Sequence, residues 1–256
     1  MKVTTLFFSF LQLFACSSSP ERSDSSNLDT NQIKVLIDNS INEIISPVFG
    51  YRFIIAGDFD GDRIQDTLVE HYISQDNMKE TNKFYKNMLE YDDLVDTTIK
   101  KQPNSYVLCS NPKIDTLRIT DGEQQFGLSF LKNEGDLTGD GKDEISYVIN
   151  WADWSNTNTW HIMTYRKNAW ETLYSFSIWD WQLPSLPETQ NQYGLFGLVN
   201  KNILDSSDQN IDQINSNFLE FPGLVRKVKT NVIEIIFRNE EAMLDTMQVD
   251  LRNKKL

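Results

Sequence analysis

Two nine-residue segments of the chain place oxygen-bearing side chains at alternate positions, which is the spacing that a cation-binding loop requires. The first, DFDGDRIQD at residues 58–66, carries aspartates at positions 1, 3, 5 and 9. The second, DLTGDGKDE at residues 136–144, carries Asp, Thr, Asp and Glu at the same positions. A curled loop turns alternate side chains inward, and calcium accepts six to eight such oxygens at about 2.3–2.6 Å, whereas magnesium requires a stricter octahedron. The spacing therefore favours calcium.

Neither segment is an EF-hand, because that motif needs a glutamate at position 12 and a helix on each side. Position 12 is Val69 in one segment and Tyr147 in the other, and both flanks have strand-like composition. A strand, an aspartate-rich loop and an apolar strand together resemble the FG-GAP or VCBS repeat, the calcium-loop blade of integrin-alpha propellers. Residues 135–145, GDLTGDGKDEI, are the closer match. The resemblance covers two short motifs and implies a calcium-braced β-hairpin at each.

Position by position, the resemblance assigns ligand roles to side chains and, at position 7, to a backbone carbonyl. These ligands are Asp58, Asp60, Asp62, Ile64 (carbonyl) and Asp66 in the first segment, and Asp136, Thr138, Asp140, Lys142 (carbonyl) and Glu144 in the second. Position 6 usually holds a glycine with positive φ, but the first segment has Arg63 there. The two expected Ca²⁺ ions have a structural role.

The alternative for both segments is an acidic surface turn without metal. Close carboxylates repel each other by about 1 kcal/mol per pair even in water. Arg63 alone cannot offset four carboxylates within nine residues. A bound cation resolves this repulsion and is the preferred interpretation.

The N-terminus predicts export and lipid attachment. Lys2 precedes an apolar run too short for a membrane-spanning helix of about 20 residues, and the run ends in Ala15-Cys16, which is similar to the bacterial lipoprotein cleavage box. We predict a signal peptide over residues 1–15, lipid on Cys16 and a flexible tether over 16–30, since that stretch is polar and serine-rich. An ordinary secretory signal with an incidental cysteine is the alternative. The expected location is the cell envelope, with a membrane-anchored lipoprotein facing the periplasm or the cell surface.

Composition predicts one folded domain over residues 31–256. The chain is 39% hydrophobic and 12% aromatic, which argues against general disorder. Lys and Arg number 24 against 37 Asp and Glu, so the formal net charge is −13. This balance argues against nucleic acid as a partner, because phosphates are met by basic patches.

The hydrophobic pattern predicts a mainly β fold with one or two peripheral helices. Helical spacing recurs at Ile33, Ile37, Ile41 and Ile44, and again over 77–94. Segments rich in branched and aromatic residues are predicted as strands: 51–56, 67–73, 106–109, 116–120, 125–132, 145–150, 159–166, 170–178, 232–238 and 243–251. Lys167-Asn168 predicts a tight turn, and 200–223 receives no assignment. A closed seven-bladed propeller needs about 420 residues, so we predict antiparallel propeller-blade-like sheets, either an incomplete propeller or a compact meander.

All six tryptophans fall between Trp151 and Trp181. Trp160 and Trp170 bracket a predicted hairpin and fit the core. The other four lie in loop-like contexts and are candidates for an aromatic platform that stacks on sugar rings or anchors a protein: Trp151, Trp154, Trp179 and Trp181. Core packing is the alternative for these four.

Complete catalytic signatures are missing from the sequence. His71 and His161 each lie inside a predicted strand, and no nucleophile elbow or phosphate loop is complete. The preferred interpretation is a non-catalytic, lipid-anchored, calcium-stabilised module that binds a protein or glycan outside the cytoplasm. Two alternatives stay open: a hydrolase of envelope polymers with carboxylates as acid and base, and a structural accessory subunit of an envelope complex.

Overall fold

The computed structural model describes residues 50–83, 91–120, 124–153, 155–184, 186, 218 and 220–253. The predicted signal peptide, Cys16, the tether, the helix predicted around Ile33 and Trp154 lie outside these residues. Within the described ranges, no helix combines the length and the apolar character that a membrane crossing requires.

Three antiparallel sheets follow one another along the described chain, and in each the consecutive strands are neighbours. Sheet 1 contains β1 (Ile54–Gly57), β2 (Asp66–Ile73), β3 (Asn104–Cys109) and β4 (Leu117–Thr120). Sheet 2 contains β5 (Gln125–Gly135), β6 (Glu144–Trp151), β7 (Thr157–Arg166) and β8 (Ala169–Trp179). Sheet 3 contains β9 (Val225–Lys229), β10 (Val232–Arg238) and β11 (Leu244–Asp250). The predicted mainly β class and its antiparallel sheets are confirmed.

The predicted strands all occur, with ends shifted by a few residues, and one further strand was not predicted. Lys167 and Asn168 have φ of 53° and 60°, as a two-residue hairpin turn between twisted strands requires. The strand without a prediction is β9, whose sequence VRKVK exposes four of its five residues. It therefore lacks the alternation of apolar and polar residues that marks a half-buried strand.

Helix α1 (Tyr91–Lys101) lies between β2 and β3, with Asp92 and Asp93 in its first turn and Lys100 and Lys101 in its last. These charges complement the helix dipole. The predicted helix over 77–94 is wrong for 77–83, where the chain turns back and Glu80 forms a β-bridge with Ile73. A short 3₁₀ helix, Asp180–Gln182, follows β8.

The turn that replaces the predicted helix brings Glu80 to two basic groups. Its carboxylate lies 3.3 Å from Nη2 of the buried Arg52 and 2.6 Å from Nδ1 of His71. Burial alone would raise the pKa of Glu80, but the hydrogen bond with His71 and the charge of Arg52 hold it below its ordinary value. These long-range partners explain why local helical periodicity does not decide the conformation here.

Two buried apolar clusters lie on opposite faces of sheet 2. The first cluster includes Tyr51, Phe53, Leu68 and Val107 of the sheet 1 segment with Ile145, Tyr147 and Ile149 of β6. The second includes Val148, Trp160 and Ile162 of sheet 2 with Ile233, Ile235 and Val249 of sheet 3. Because successive residues of a strand point to opposite faces, β6 contributes alternate side chains to the two clusters. Sheet 2 is therefore the central layer.

A buried ion pair links sheets 1 and 2. Glu70 on β2 lies 2.6 Å from Lys83 Nζ, and both side chains are nearly inaccessible. The same carboxylate accepts hydrogen bonds from the amides of Phe53, at 3.1 Å, and Leu128, at 2.8 Å. Gly127 adjoins the pair, and a Cβ there would lie 2.6 Å from Glu70 Oε1. The space between the backbone at position 127 and the Glu70–Lys83 pair is therefore too small for any residue larger than glycine.

Glu70→Ala is expected to lower the free energy of unfolding by about 3–5 kcal/mol, because it leaves a buried ammonium group and two amides without their carboxylate. Chemical denaturation measures the change. Glu234→Ala is the matched control, since Glu234 pairs with the largely exposed Arg226, and such pairs contribute less than about 1 kcal/mol. Equal losses in both variants would contradict a special role for Glu70.

Candidate metal site

The two acidic segments occupy equivalent places in their sheets. Loop 1, residues 58–66, joins β1 to β2, and loop 2, residues 136–144, joins β5 to β6. At their bases Gly57 pairs with Asp66, and Gly135 pairs with Glu144. Position 2 of each loop is an apolar anchor in a core cluster, Phe59 in loop 1 and Leu137 in loop 2. Each loop is therefore held at its base and at position 2.

Both loops have the same local backbone geometry. In loop 1, Gly61 and Arg63 have φ of 83° and 68°, and their amides each donate a 2.8 Å hydrogen bond to the Asp58 carboxylate. The equivalent groups in loop 2 are the glycines Gly139 and Gly141, with φ of 78° and 86°, which donate to Asp136. Arg63 thus adopts the left-handed conformation that the resemblance to calcium-loop repeats implies for position 6.

Loop 1 gathers three carboxylates. Asp58, Asp60 and Asp62 each offer one oxygen, and these oxygens lie within 4.8 Å of one another. Among the residues that the structure describes, this is the one group of acidic, histidine or cysteine side chains that meets this distance. Two of the three are half-buried and Asp62 is exposed, so the group is open to solvent ions.

Asp66, at position 9, adds a buried carboxylate beside this cluster. The residue is only 4% exposed, and its Oδ2 atom has no hydrogen-bond partner. Burial, followed by the charge of Asp60, raises the pKa of Asp66 above its ordinary value. Asn111 donates to Asp60 Oδ2 at 2.9 Å, and its amide partly offsets the rise in the pKa of Asp66. An oxygen-seeking cation would satisfy the unpartnered atom and reduce the mutual repulsion.

Ile64 is the predicted carbonyl ligand of loop 1. Its side chain is 65% exposed, and its amide donates to Asp62 Oδ1 at 2.8 Å. This bond orients the Asp62 carboxylate.

In loop 2, both carboxylate oxygens of the buried Glu144 accept hydrogen bonds from protein donors. Its Oε2 accepts from the amides of Leu137, at 2.7 Å, and Thr138, at 3.1 Å. Its Oε1 accepts from the hydroxyls of Thr138, at 3.2 Å, and Thr164, at 2.9 Å. Burial raises the pKa of Glu144 despite these four bonds.

Arg166 closes the outer side of loop 2. Its Nη2 atom lies 2.8 Å from both Thr138 Oγ1 and Asp140 Oδ2, and its Nε lies 3.1 Å from the same carboxylate oxygen. The Lys142 amide donates to Asp140 Oδ1 at 3.1 Å, as Ile64 does to Asp62 in loop 1. Of the predicted ligands, the structure therefore collects Asp58, Asp60 and Asp62 of loop 1 into an open acidic cluster. In loop 2, protein donors contact Thr138, Asp140 and Glu144.

The loops also fasten the sheets to one another. The Asp143 amide donates to the Asp58 carbonyl at 2.7 Å, and the Asp58 amide donates to Asp143 Oδ2 at 3.1 Å. Loop 2 in turn contacts the β9–β10 turn, where the Asn231 amide donates to the Leu137 carbonyl at 2.8 Å. Asp143 was not among the predicted functional residues, because its even position in the loop carries no ligand signal.

The tryptophans separate into buried and exposed groups. Trp160 is fully buried, which confirms its core assignment, while Trp170 and Trp151 are half-buried against the first cluster. The Arg238 guanidinium lies 4.6 Å from the ring centre of the half-buried Trp179. Trp181 is 64% exposed. Of the described candidates for an aromatic platform, Trp181 alone presents most of its surface to solvent.

Polar groups flank Trp181. Asn158 donates to Asp180 Oδ1 at 3.0 Å, and the Asp180 amide donates to the Asn156 carbonyl at 2.9 Å. These bonds join the end of β8 to the β6–β7 connection. Burial raises the pKa of Asp180.

Comparison with models of protein families gave no match, and comparison with curated proteins also gave none. The similarity to FG-GAP and VCBS repeats therefore rests on the two loops and assigns no family to the chain.

Asp66→Asn is expected to raise stability in the presence of a chelator by about 1 kcal/mol, because a buried, unpartnered carboxylate oxygen next to other carboxylates is replaced by a neutral donor. Chemical denaturation in EDTA measures this change. The exposed Asp115 provides the control Asp115→Asn, which should change stability little. A loss of stability on Asp66→Asn in EDTA would show that the carboxylate is satisfied without an ion.

Proposed function

We propose that the protein is a lipid-anchored, extracytoplasmic binding module, without catalytic activity, in which Ca²⁺ held by loop 1 braces the structure. The observation that carries the proposal is the convergence of Asp58, Asp60 and Asp62 beside the buried, unpartnered Oδ2 of Asp66. The lipid anchor and the envelope location rest on the N-terminal sequence alone.

The donor set of loop 1 favours calcium over softer metals. The candidate ligands are carboxylates and the Ile64 carbonyl, hard oxygen donors with no histidine or cysteine in the acidic group. Four carboxylates in one short loop leave a negative charge that a divalent cation reduces. Extracellular calcium-binding modules function with a Kd for calcium of about 10⁻⁴–10⁻³ M, so weak binding by loop 1 is sufficient.

An ion in loop 1 would stabilise more than the loop itself. Both backbone groups of Asp58 bond to Asp143, and its carboxylate also holds the curl of loop 1. Fixing this carboxylate therefore fixes the contact between loops 1 and 2. Calcium would thereby order the junction of sheets 1 and 2.

The partner surface of this proposal is the edge around Trp181. An exposed indole beside carboxylate and amide groups can stack on a sugar ring or anchor a protein side chain. Trp179 is left out of this edge, because its ring already faces the Arg238 guanidinium. The proposal therefore places partner binding at Trp181 and Asp180, away from the calcium loop in sequence.

Calcium is expected to bind the chain lacking residues 1–16 and to raise its stability by about 2.7 kcal/mol at a free concentration of 100 times Kd. Titration calorimetry with Ca²⁺ and with Mg²⁺, together with denaturation, measures both effects. Asp60→Ala should abolish the calcium response, and Asp140→Ala in loop 2 serves as the matched control that keeps it. A wild-type protein with no response to calcium would overturn the proposal.

Trp181→Ala is expected to lower binding to an array of envelope glycans by at least tenfold at any glycan that the wild type retains, because the stacking surface is lost. Met243→Ala is the control, since Met243 is 62% exposed but lies next to β11. If the array retains no wild-type protein, the glycan partner is excluded and a protein partner remains, which cross-linking through residue 181 would identify. Equal retention of both variants would remove Trp181 from the partner surface.

A further inference from the structure

Loops 1 and 2 have the same backbone conformation but differ in the groups that balance their negative charge. In both, the position 1 carboxylate accepts the amides of positions 4 and 6, so the side chains of positions 3 and 5 face the same region of the curl. Loop 1 has Asp60 and Asp62 at these positions. Loop 2 has Thr138 and Asp140, and both contact one guanidinium.

We infer that Arg166 is the built-in cation of loop 2, so that this loop closes without calcium. The inference goes beyond the proposed calcium site, because it concerns the other loop and holds whether or not loop 1 binds an ion.

The contacts of Arg166 match those that a metal would make at positions 3 and 5. Nη2 bonds to Thr138 Oγ1 and Asp140 Oδ2, and Nε bonds again to Asp140 Oδ2. Arginine keeps its charge at every relevant pH, and charge-assisted bonds of this kind are among the stronger hydrogen bonds of proteins. Both side chains of the ion pair are only about one-third exposed, at 33% and 34%.

The hairpin β7–β8 positions Arg166 for this role. Arg166 pairs with Ala169 across the Lys167-Asn168 turn, which fixes the end of β7. Thr164 lies two residues earlier on the same face of the strand, and it donates to Glu144 at 2.9 Å. One strand face thus delivers a hydroxyl to position 9 and a guanidinium to positions 3 and 5.

Sheet 1 supplies a neutral group at the corresponding place. After β3, the Asn111 amide donates to Asp60 Oδ2 at 2.9 Å. An amide satisfies one oxygen without balancing charge, so loop 1 keeps its requirement for an external cation. The loops therefore differ in the group that the third strand of each sheet brings to them, which is Arg166 in one case and Asn111 in the other. They also differ in the residue types at loop positions 3 and 9.

The test compares Arg166→Gln with Arg226→Gln in EDTA, where no calcium can contribute. Arg226 is the matched control, because its guanidinium pairs with a carboxylate, Glu234, that belongs to neither loop. We expect Arg166→Gln to lower Tm by at least about 2–4 °C and Arg226→Gln to leave it nearly unchanged. Arg166→Lys, which keeps the charge but not the planar group, should give an intermediate Tm and serves if Arg166→Gln does not fold. Equal Tm values for the wild type, Arg166→Gln and Arg166→Lys would overturn the inference.

Calcium stoichiometry provides a second, independent measurement. Titration calorimetry should give the same number of ions for the wild type and for Asp140→Ala. The double variant Thr138→Asp with Arg166→Gln restores carboxylates at positions 1, 3 and 5 and should bind one additional ion, which a further Asp140→Ala removes. A wild-type ion lost on Asp140→Ala, or no additional ion in the double variant, would contradict the inference. A wild type that binds no calcium would overturn the proposed function, while the Tm comparison in EDTA would still decide the role of Arg166.

Discussion

The interaction on which this structure depends is the balance of negative charge at the loop that joins the first two strands of a sheet. The backbone of each loop turns its position 1 carboxylate inward to accept two amides, and the same curl crowds the side chains of positions 3 and 5. Carboxylates held that closely repel one another unless a cation intervenes. Sheets 1 and 2 differ in this respect, because sheet 2 brings the cationic Arg166 to its loop, whereas sheet 1 brings the uncharged Asn111.

These loops matter beyond their own hairpins because they lie where the sheets meet. Two apolar clusters on opposite faces of sheet 2 hold the layers together, but apolar contact is non-directional. Directional bonds are supplied at the loops, between Asp58 and Asp143 and between Leu137 and Asn231. The order of the loops therefore affects how precisely the sheets are placed.

Local pattern predicted the strands and the curl of both loops well. The resemblance to calcium-loop repeats implied a positive φ at position 6, which Arg63 adopts although it is not glycine, and the turn at Lys167-Asn168 followed from its place between two predicted strands. Two of the failures have a common cause in long-range partners. The first part of the helix predicted over 77–94 gives way to a turn at 77–83, where Glu80 bonds to Arg52, 28 residues away. Likewise, Arg166 reaches Asp140 across 26 residues, a contact that only the pairing of β6 with β7 creates.

Two differences within the loops were nevertheless visible in the sequence and carry physical meaning in the structure. Glutamate at position 9 is one methylene longer than aspartate, and Glu144 uses its oxygens to accept the amides of Leu137 and Thr138 from its own loop. The shorter Asp66 leaves Oδ2 unpartnered. Threonine at position 3 donates to Glu144, which an ionised aspartate cannot do. A hydroxyl at position 3 and a glutamate at position 9 thus favour a loop closed by protein donors, whereas aspartates at both positions favour one that needs an ion.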